Sequence, residues 1–82
     1  MVVVYAIFDN DINEIYVGIT NNLARRLTEH KRGQSFYTRK FKKIILFHYE
    51  ECPDYRLART REKYLKSGCG KEFLKSLLNK RV

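Results

Sequence analysis

The apolar positions change period along the chain, and those changes divide it into elements. Residues 2 to 8, "VVVYAIF", form an unbroken β-branched and aromatic run, which predicts a strand. "DNDIN" (9 to 13) interrupts the run with Asp and Asn and reads as a hairpin turn. In "EIYVGI" (14 to 19), Ile15, Val17 and Ile19 alternate with Tyr16 and Gly18, the period of a half-buried second strand. Pairing Phe8 with Asn13 across a four-residue loop sets Tyr5 directly opposite Tyr16, with both phenols on one face.

The period then becomes helical. Thr20, Asn21 or Asn22 supplies an N-cap, and a helix is expected to run to about Arg32, with Gly33 as its stop. Arg26 and His30 are four residues apart and so share a helical face. Leu23 and Leu27 lie on the core side nearby, which places that pair at the edge of the core. "QSFYTRKFKK" (34 to 43) is a basic, aromatic loop, and "IILFHYE" (44 to 50) is a third strand. Pro53 and Asp54 open a second helix that runs to Ser67, with Gly68 just past its end and Leu57, Ala58, Tyr64 and Leu65 at helical spacing. "CGKEFLKSLLNKRV" starts with a Gly turn and continues as a third amphipathic helix with the stripe Phe73, Leu74, Leu77 and Leu78. No linker or repeat divides the sequence. The expectation is one α+β domain over residues 1–82, order ββαβαα, with a small three-stranded antiparallel sheet flanked by about three helices.

Charge changes this picture more than composition does. Seventeen Lys and Arg against nine Asp and Glu give a formal net charge of +8, with six Tyr and five Phe interspersed. The sequence pI near 9.7 is the electrostatic footprint of a domain that meets polyanions. An anionic membrane surface fits less well, because no helix joins a large apolar face to a polybasic one. The start has no basic n-region or cleavage site, and its apolar run is too short for a bilayer. Cys52 and Cys69 are too few for a secreted disulfide scaffold and form no zinc-binding pattern. These features point to a soluble cytoplasmic domain.

Taken singly, the candidate residues have plain structural explanations. A strand Tyr packs, an Arg on a helix is solvated, and a His near a helix end favours the dipole. Their spacing is more informative. "VVYAI" followed by "IYVG", "LARRLTEH" and later "RTREKYL" resembles the GIY-YIG nuclease superfamily, over residues 2 to about 76. That superfamily includes phage homing endonucleases, the incision domain of bacterial excision repair and small single-domain bacterial proteins. "YVG", with Arg26 ten residues after its Tyr and His30 four further on, carries the likeness, as does the ending "REKYLKSGCGKEFLKSLL". The first motif departs from the pattern, reading Val3-Val4-Tyr5 where the family has Gly-Ile-Tyr.

The resemblance implies a divalent-metal-dependent DNA endonuclease, in DNA repair or mobile-element processing. In it, Tyr16 would be the general base or orient the attacking water, and Tyr5 would support it and help position the scissile phosphate. Arg26 would stabilise phosphate charge, His30 would assist by hydrogen bonding or proton relay, and Glu62 would hold one Mg²⁺ or Mn²⁺ ion. Asn79 is the candidate for an Asn that the family places near the end of the domain. Glu62 also reads as an ordinary salt-bridged helix residue among Arg59, Arg61, Lys63 and Lys66. Arg25, Arg39, Lys40, Lys42 and Lys43 are expected to meet backbone phosphates. Phe36 or Tyr37 either stacks on an unpaired base or covers the core. His48 is assigned no role. The partner is DNA (double-stranded, single-stranded or branched) more than RNA. A homodimer or partner protein is compatible, since one site cuts one strand at a time. A basic binding module without turnover and a partner-activated subunit stay open as alternatives.

Overall fold

The computed structural model describes residues 1–35 and 37–81. Strand β1, Val2–Asp9, pairs antiparallel with β2, Glu14–Thr20, on one side and with β3, Ile45–Cys52, on the other, in the order β2-β1-β3. As the middle strand, β1 is buried on both faces: Val4 and Ala6 on one, Tyr5 and Ile7 on the other. That is why its sequence is apolar throughout instead of alternating. Helices α1 (Leu23–Lys31), α2 (Tyr55–Lys66) and α3 (Gly68–Arg81) complete the ββαβαα order that the sequence predicts. No helix among the described residues is long and apolar enough to cross a membrane.

The sheet separates two apolar clusters. On one face, Val2, Val4, Ala6, Val17 and Phe47 pack with Ala58 and Leu65 of α2 and Leu74 of α3. On the other, Tyr5 and Ile7 pack with Phe41 and, around them, Tyr16, Leu23, Leu27 and Ile44. This second face, covered by α1 and the loop before β3, carries both phenols. The alternation of β2 puts Val17 on the first face and Tyr16 on the second.

The hairpin register differs from the expectation. Tyr5 pairs with Gly18, Ile7 with Tyr16 and Asp9 with Glu14, a displacement of two residues from a Tyr5–Tyr16 pairing. The cause is Asp9. Its Oδ1 accepts the backbone N–H of Asp11 at 2.8 Å and of Ile12 at 3.4 Å, and Asn13 takes the left-handed conformation at φ 55°. The four-residue loop is therefore 10–13 rather than 9–12. A shift of two preserves the face of every side chain, so Tyr5 and Tyr16 still emerge together.

Asp9 also reaches across the molecule. Its Oδ2 accepts the N–H of Lys42 at 2.5 Å and of Lys43 at 3.2 Å, which anchors the basic loop to the hairpin. Burial alone would raise this carboxyl, but the backbone donors of Lys42, Lys43, Asp11 and Ile12 outweigh it and hold it below the ordinary value. Because the folded value is the lower one, this stabilisation is complete above the ordinary carboxylate range and is lost as acid titrates through the folded value. Asp9→Asn is expected to lower the thermal unfolding midpoint at pH 7 and to flatten the acid limb below pH ~4. Circular dichroism melts across pH 3–7 check both, and an unchanged midpoint would remove the anchoring role.

At the helix ends, Asn22 accepts from the N–H of Arg25 at 3.1 Å, while Thr20 Oγ1 accepts from Asn22 at 3.0 Å. Of the three expected caps, Asn22 is the one used. Gly33, at φ 74°, ends the turn after α1. Asp54 caps α2 through the N–H of Leu57 at 2.9 Å. Ser67 alone separates α2 from α3, so Gly68 begins a helix rather than following one.

Candidate active site

Four of the residues singled out in the sequence meet on the phenol face. The Tyr5 and Tyr16 rings lie 6.3 Å apart, and His30 packs edge-on to both, at 5.7 and 5.3 Å. Tyr5 Oη and His30 Nε2 share a hydrogen bond of 2.7 Å, and His30 Nδ1 and Thr38 Oγ1 one of 2.5 Å. Tyr5, His30 and Thr38 are each 0% exposed, so this is a closed internal chain. Tyr16 is half-buried and forms the part of the cluster that solvent reaches.

Arg26, one helical turn before His30, borders this chain. Its Nη1 donates to Glu29 Oε1 at 2.9 Å, its Nη2 lies 3.5 Å from Ser35 Oγ, and its guanidinium faces the hydroxyls of Tyr5 and Tyr16. The Glu29 bond is the main reason its guanidinium is held charged, with the two phenols adding to it. Guanidinium is a donor only. Where it meets the Tyr5 oxygen, the phenol proton is left to donate to His30 Nε2, and Nδ1–H then donates to Thr38.

The protonation states follow from burial. Tyr5 is pushed up to about 12, first by burial and then by the neighbouring Tyr16, against the lowering effect of Arg26. It is therefore a neutral phenol at any working pH. His30 is pushed down to about 4, first by burial and then by the Arg26 charge, and is neutral at pH 7. The unfolded chain takes up this proton near pH 6.5 and the folded chain only near 4, so the associated stability is intact above 6.5 and declines as pH falls toward 4. Unfolding midpoints between pH 7 and pH 4.5, with ¹⁵N spectra of the imidazoles, measure this decline. A His30 ring titrating near its ordinary value would contradict it.

Gly18 is what lets this cluster form. It lies within β2, as the alternation predicts, directly opposite Tyr5. A Cβ there would come within 2.6 Å of Tyr5 Oη and 2.9 Å of a Tyr16 ring carbon. Gly18→Ala is expected to push both phenols aside and cost about 1–3 kcal/mol of stability by overpacking. Chemical denaturation and the His30 ring shift measure these effects, and a variant with both unchanged would contradict the close approach.

The other sequence candidates lie outside this cluster, Glu62 and Asn79 on helices of the opposite face of the sheet. Glu62, on α2, is half-buried and bound to Lys66 Nζ at 3.1 Å; Lys66 in turn lines the cleft beside Tyr16. Arg25 is exposed, 3.9 Å from Glu29 and 3.4 Å from Asn21 Oδ1. Lys40 pairs with Glu14 at 2.9 Å, and Arg39, Lys42 and Lys43 are exposed in the same loop. Tyr37 is exposed as well, which fits stacking better than core cover, whereas Phe36 lies outside the described residues. Asn79 is exposed near the end of α3, the helix packed on the opposite face of the sheet. On that face His48 Nε2 and Glu50 share a 2.6 Å contact, and Arg61 holds the other Glu50 oxygen at 2.7 Å, tying β3 to α2.

Sequence reasoning missed Thr38, Ser35 and Glu29. Glu29 had a signal, standing three and four residues after the two arginines on one helix. Thr38 and Ser35 had none, since nothing local marks a loop hydroxyl that meets a helix. Among the described residues there is no group of three His, Cys, Asp or Glu able to hold a metal ion. Glu62 belongs to α2, the helix packed on the face of the sheet opposite the phenols, and it offers a single carboxylate, which suits a hard ion that keeps most of its water and takes substrate phosphate as a further ligand.

Comparison with known proteins gives a consistent result. The model of the GIY-YIG catalytic domain family matches residues 1–73. A UPF0213 protein of Desulfotalea psychrophila is 41% identical over 54 residues, which is 63% of this chain and 49% of that protein. The match thus spans about half the length of that relative. The solution NMR structure of UPF0213 protein BH0048 from Bacillus halodurans superposes with a TM-score of 0.56 at 31% identity, over 94% of this chain and 85% of that one.

Proposed function

Since the chain belongs to the GIY-YIG catalytic domain family, we propose that it is a divalent-metal-dependent endonuclease that hydrolyses DNA phosphodiester bonds. The observation that carries this reading is Arg26. Its guanidinium faces two phenols, one protonated and sealed and the other reached by solvent. A packing cluster has no use for a partly exposed cation at that point, whereas a phosphate does.

In this mechanism Arg26 binds two oxygens of the scissile phosphate and offsets the charge that develops on them. Its pair with Glu29 is of the partly exposed kind worth only about 0–1 kcal/mol, so it yields to a dianionic transition state. Tyr16 orients the attacking water and, in its phenolate form, takes up the proton that the water releases. Tyr5 and His30 touch no solvent and act through their neighbours: Tyr5 holds the guanidinium, neutral His30 holds Tyr5, and Thr38 fixes the imidazole. Glu62 would hold the Mg²⁺ or Mn²⁺ ion. When bound, the ion supplies polarisation of the phosphoryl oxygen and stabilisation of the leaving alkoxide. The basic loop 37–43, anchored by Asp9, contributes Arg39, Lys40, Lys42 and Lys43 to flanking phosphates.

A second reading has its own observation. Arg26 and Glu62 both stand in intramolecular ion pairs, with Glu29 and Lys66, as in a module that binds nucleic acid without cutting or that a partner must activate. Supercoiled plasmid and labelled single-stranded, duplex and branched oligonucleotides, with Mg²⁺, Mn²⁺ or EDTA, decide between the two. The nuclease reading expects cutting that EDTA abolishes, that Arg26→Ala lowers about 10²–10³-fold, and that Glu62→Gln suppresses. Binding without cutting on every substrate would favour the second reading.

A further inference from the structure

Beside Tyr16, between the outer edge of β2 and the α2–α3 pair, lies a cleft of about 710 Å³ that the chemistry above does not use. Its rim carries Lys66 from the end of α2, Lys71 and Lys75 from α3, and Tyr37 from the loop; Leu74 contributes to its floor. Lys71 and Lys75 are four residues apart on one helix, about 6 Å along the axis, so successive cations line one wall. The carboxylate in the lining, Glu14, is paired with Lys40 at 2.9 Å, and Lys66 is paired with Glu62 at 3.1 Å, so the positive field of the cleft comes mainly from Lys71 and Lys75.

We propose that this cleft is a subsite for an unpaired stretch of DNA continuing from the scissile phosphate, with its phosphates on Lys66, Lys71 and Lys75 and a base against Tyr37. The proposal rests on the reading of Tyr16 as the residue that faces the attacked phosphate, because Tyr16 lines both the catalytic cluster and the cleft. Size argues for an unpaired strand. A pocket of this volume takes one drug-sized molecule, and so one or two nucleotides, but not a stacked base pair with two backbones. Chemistry argues the same way. Cations interleaved with an aromatic that is 71% exposed form the stacking platform and electrostatic funnel of single-strand binding, whereas a duplex hides its base faces. A strand leaving this cleft for a paired region makes the natural substrate one in which a single-stranded flank adjoins the cut.

The test is binding without metal. Fluorescence anisotropy in EDTA compares a labelled single-stranded oligonucleotide with its blunt duplex. The single strand is expected to bind at least about tenfold more tightly. Lys71→Gln with Lys75→Gln should weaken single-strand binding about tenfold and reduce the slope of log K against log salt by about 1.4, from roughly 0.7 per lost phosphate contact. Tyr37→Ala should weaken it about tenfold with the salt slope unchanged. Lys31→Gln with Lys80→Gln removes the same charge from outside the cleft and should change single-strand affinity less than threefold. Equal binding of duplex and single strand, or equal losses from the cleft pair and the outside pair, would overturn the subsite. The nuclease reading fails separately: a wild-type protein that keeps the single-strand preference but never cuts with Mg²⁺ retains the cleft and loses the chemistry.

Discussion

Tyr16→Phe is expected to lower DNA cleavage by about 10²–10⁴-fold, the usual range for removing a general base, while shifting the unfolding midpoint by only a few degrees. The substitution deletes one oxygen from a half-buried ring whose packing against Tyr5 and His30 is through carbon. Tyr5→Phe gives the contrasting result. Tyr5 is sealed, and its oxygen is bonded to His30 Nε2 at 2.7 Å, so the change leaves a buried imidazole nitrogen without a partner. That costs about 1–3 kcal/mol, or a midpoint drop of roughly 4–24 °C for a domain of this size. Activity should fall as well, because Arg26 loses one of the two hydroxyls that orient it.

The two phenols thus separate chemistry from support. Tyr5, sealed and pushed up to about 12, is confined to support, so in the proposed mechanism the half-buried Tyr16 is the phenol that meets the water. Single-turnover cleavage rates paired with thermal melts of both variants distinguish them. Wild-type-like cleavage by Tyr16→Phe would remove Tyr16 from the chemistry, whatever Tyr5→Phe did.

The largest stability effect is expected at Gly70, which plays no part in the site. It is buried where α3 crosses the end of α2, and a Cβ there would lie 1.9 Å from the Tyr64 carbonyl oxygen and 2.5 Å from Leu65 Cα. Both are backbone atoms of a helix, so no side-chain rotation relieves the overlap, and α3 would have to move away from Leu65. Overpacking of flexible side chains costs about 1–3 kcal/mol; a backbone overlap belongs at or above the top of that range. Gly70→Ala should therefore lower the midpoint by roughly 12–24 °C. Gly68→Ala is the built-in comparison. Nothing lies within 4 Å of its Cβ position, and a Gly-to-Ala change at a helical residue is neutral or stabilising by up to about 1 kcal/mol. Equal midpoints for the two variants would contradict the close packing of α2 and α3.

Much of this arrangement is legible in the sequence because it depends on local periods. A period of two in "EIYVGI" is enough to put Tyr16 and Gly18 on the face away from Val17, and a four-residue spacing is enough to align Arg26 with His30. Even the error in register was harmless to the phenols, since a shift of two residues keeps every side chain on its face. The caps, the helix stripes and the basic loop are likewise properties of short windows.

What only the tertiary structure decided comes from contacts between residues far apart in sequence. The true register was set by Asp9, whose carboxylate satisfies both its own turn and backbone N–H groups 33 residues away. A turn rich in Asp and Asn announces a hairpin without saying which carboxylate will be buried. Thr38 joined the Tyr5–His30 cluster because the basic loop folds back over the sheet, and Glu29 joined it by pairing with Arg26. The cleft beside Tyr16 needed α2, α3, the loop and the edge of β2 to be in place together. The sequence by itself determined the order of the elements, the face each side chain takes and the residue types gathered on the phenol face, because dihedral preference and hydrophobic period act over a few residues. Protonation states, the room that Gly18 and Gly70 make, and the hydroxyl that finishes the Tyr5–His30 chain waited on burial, and burial exists only once distant segments have packed.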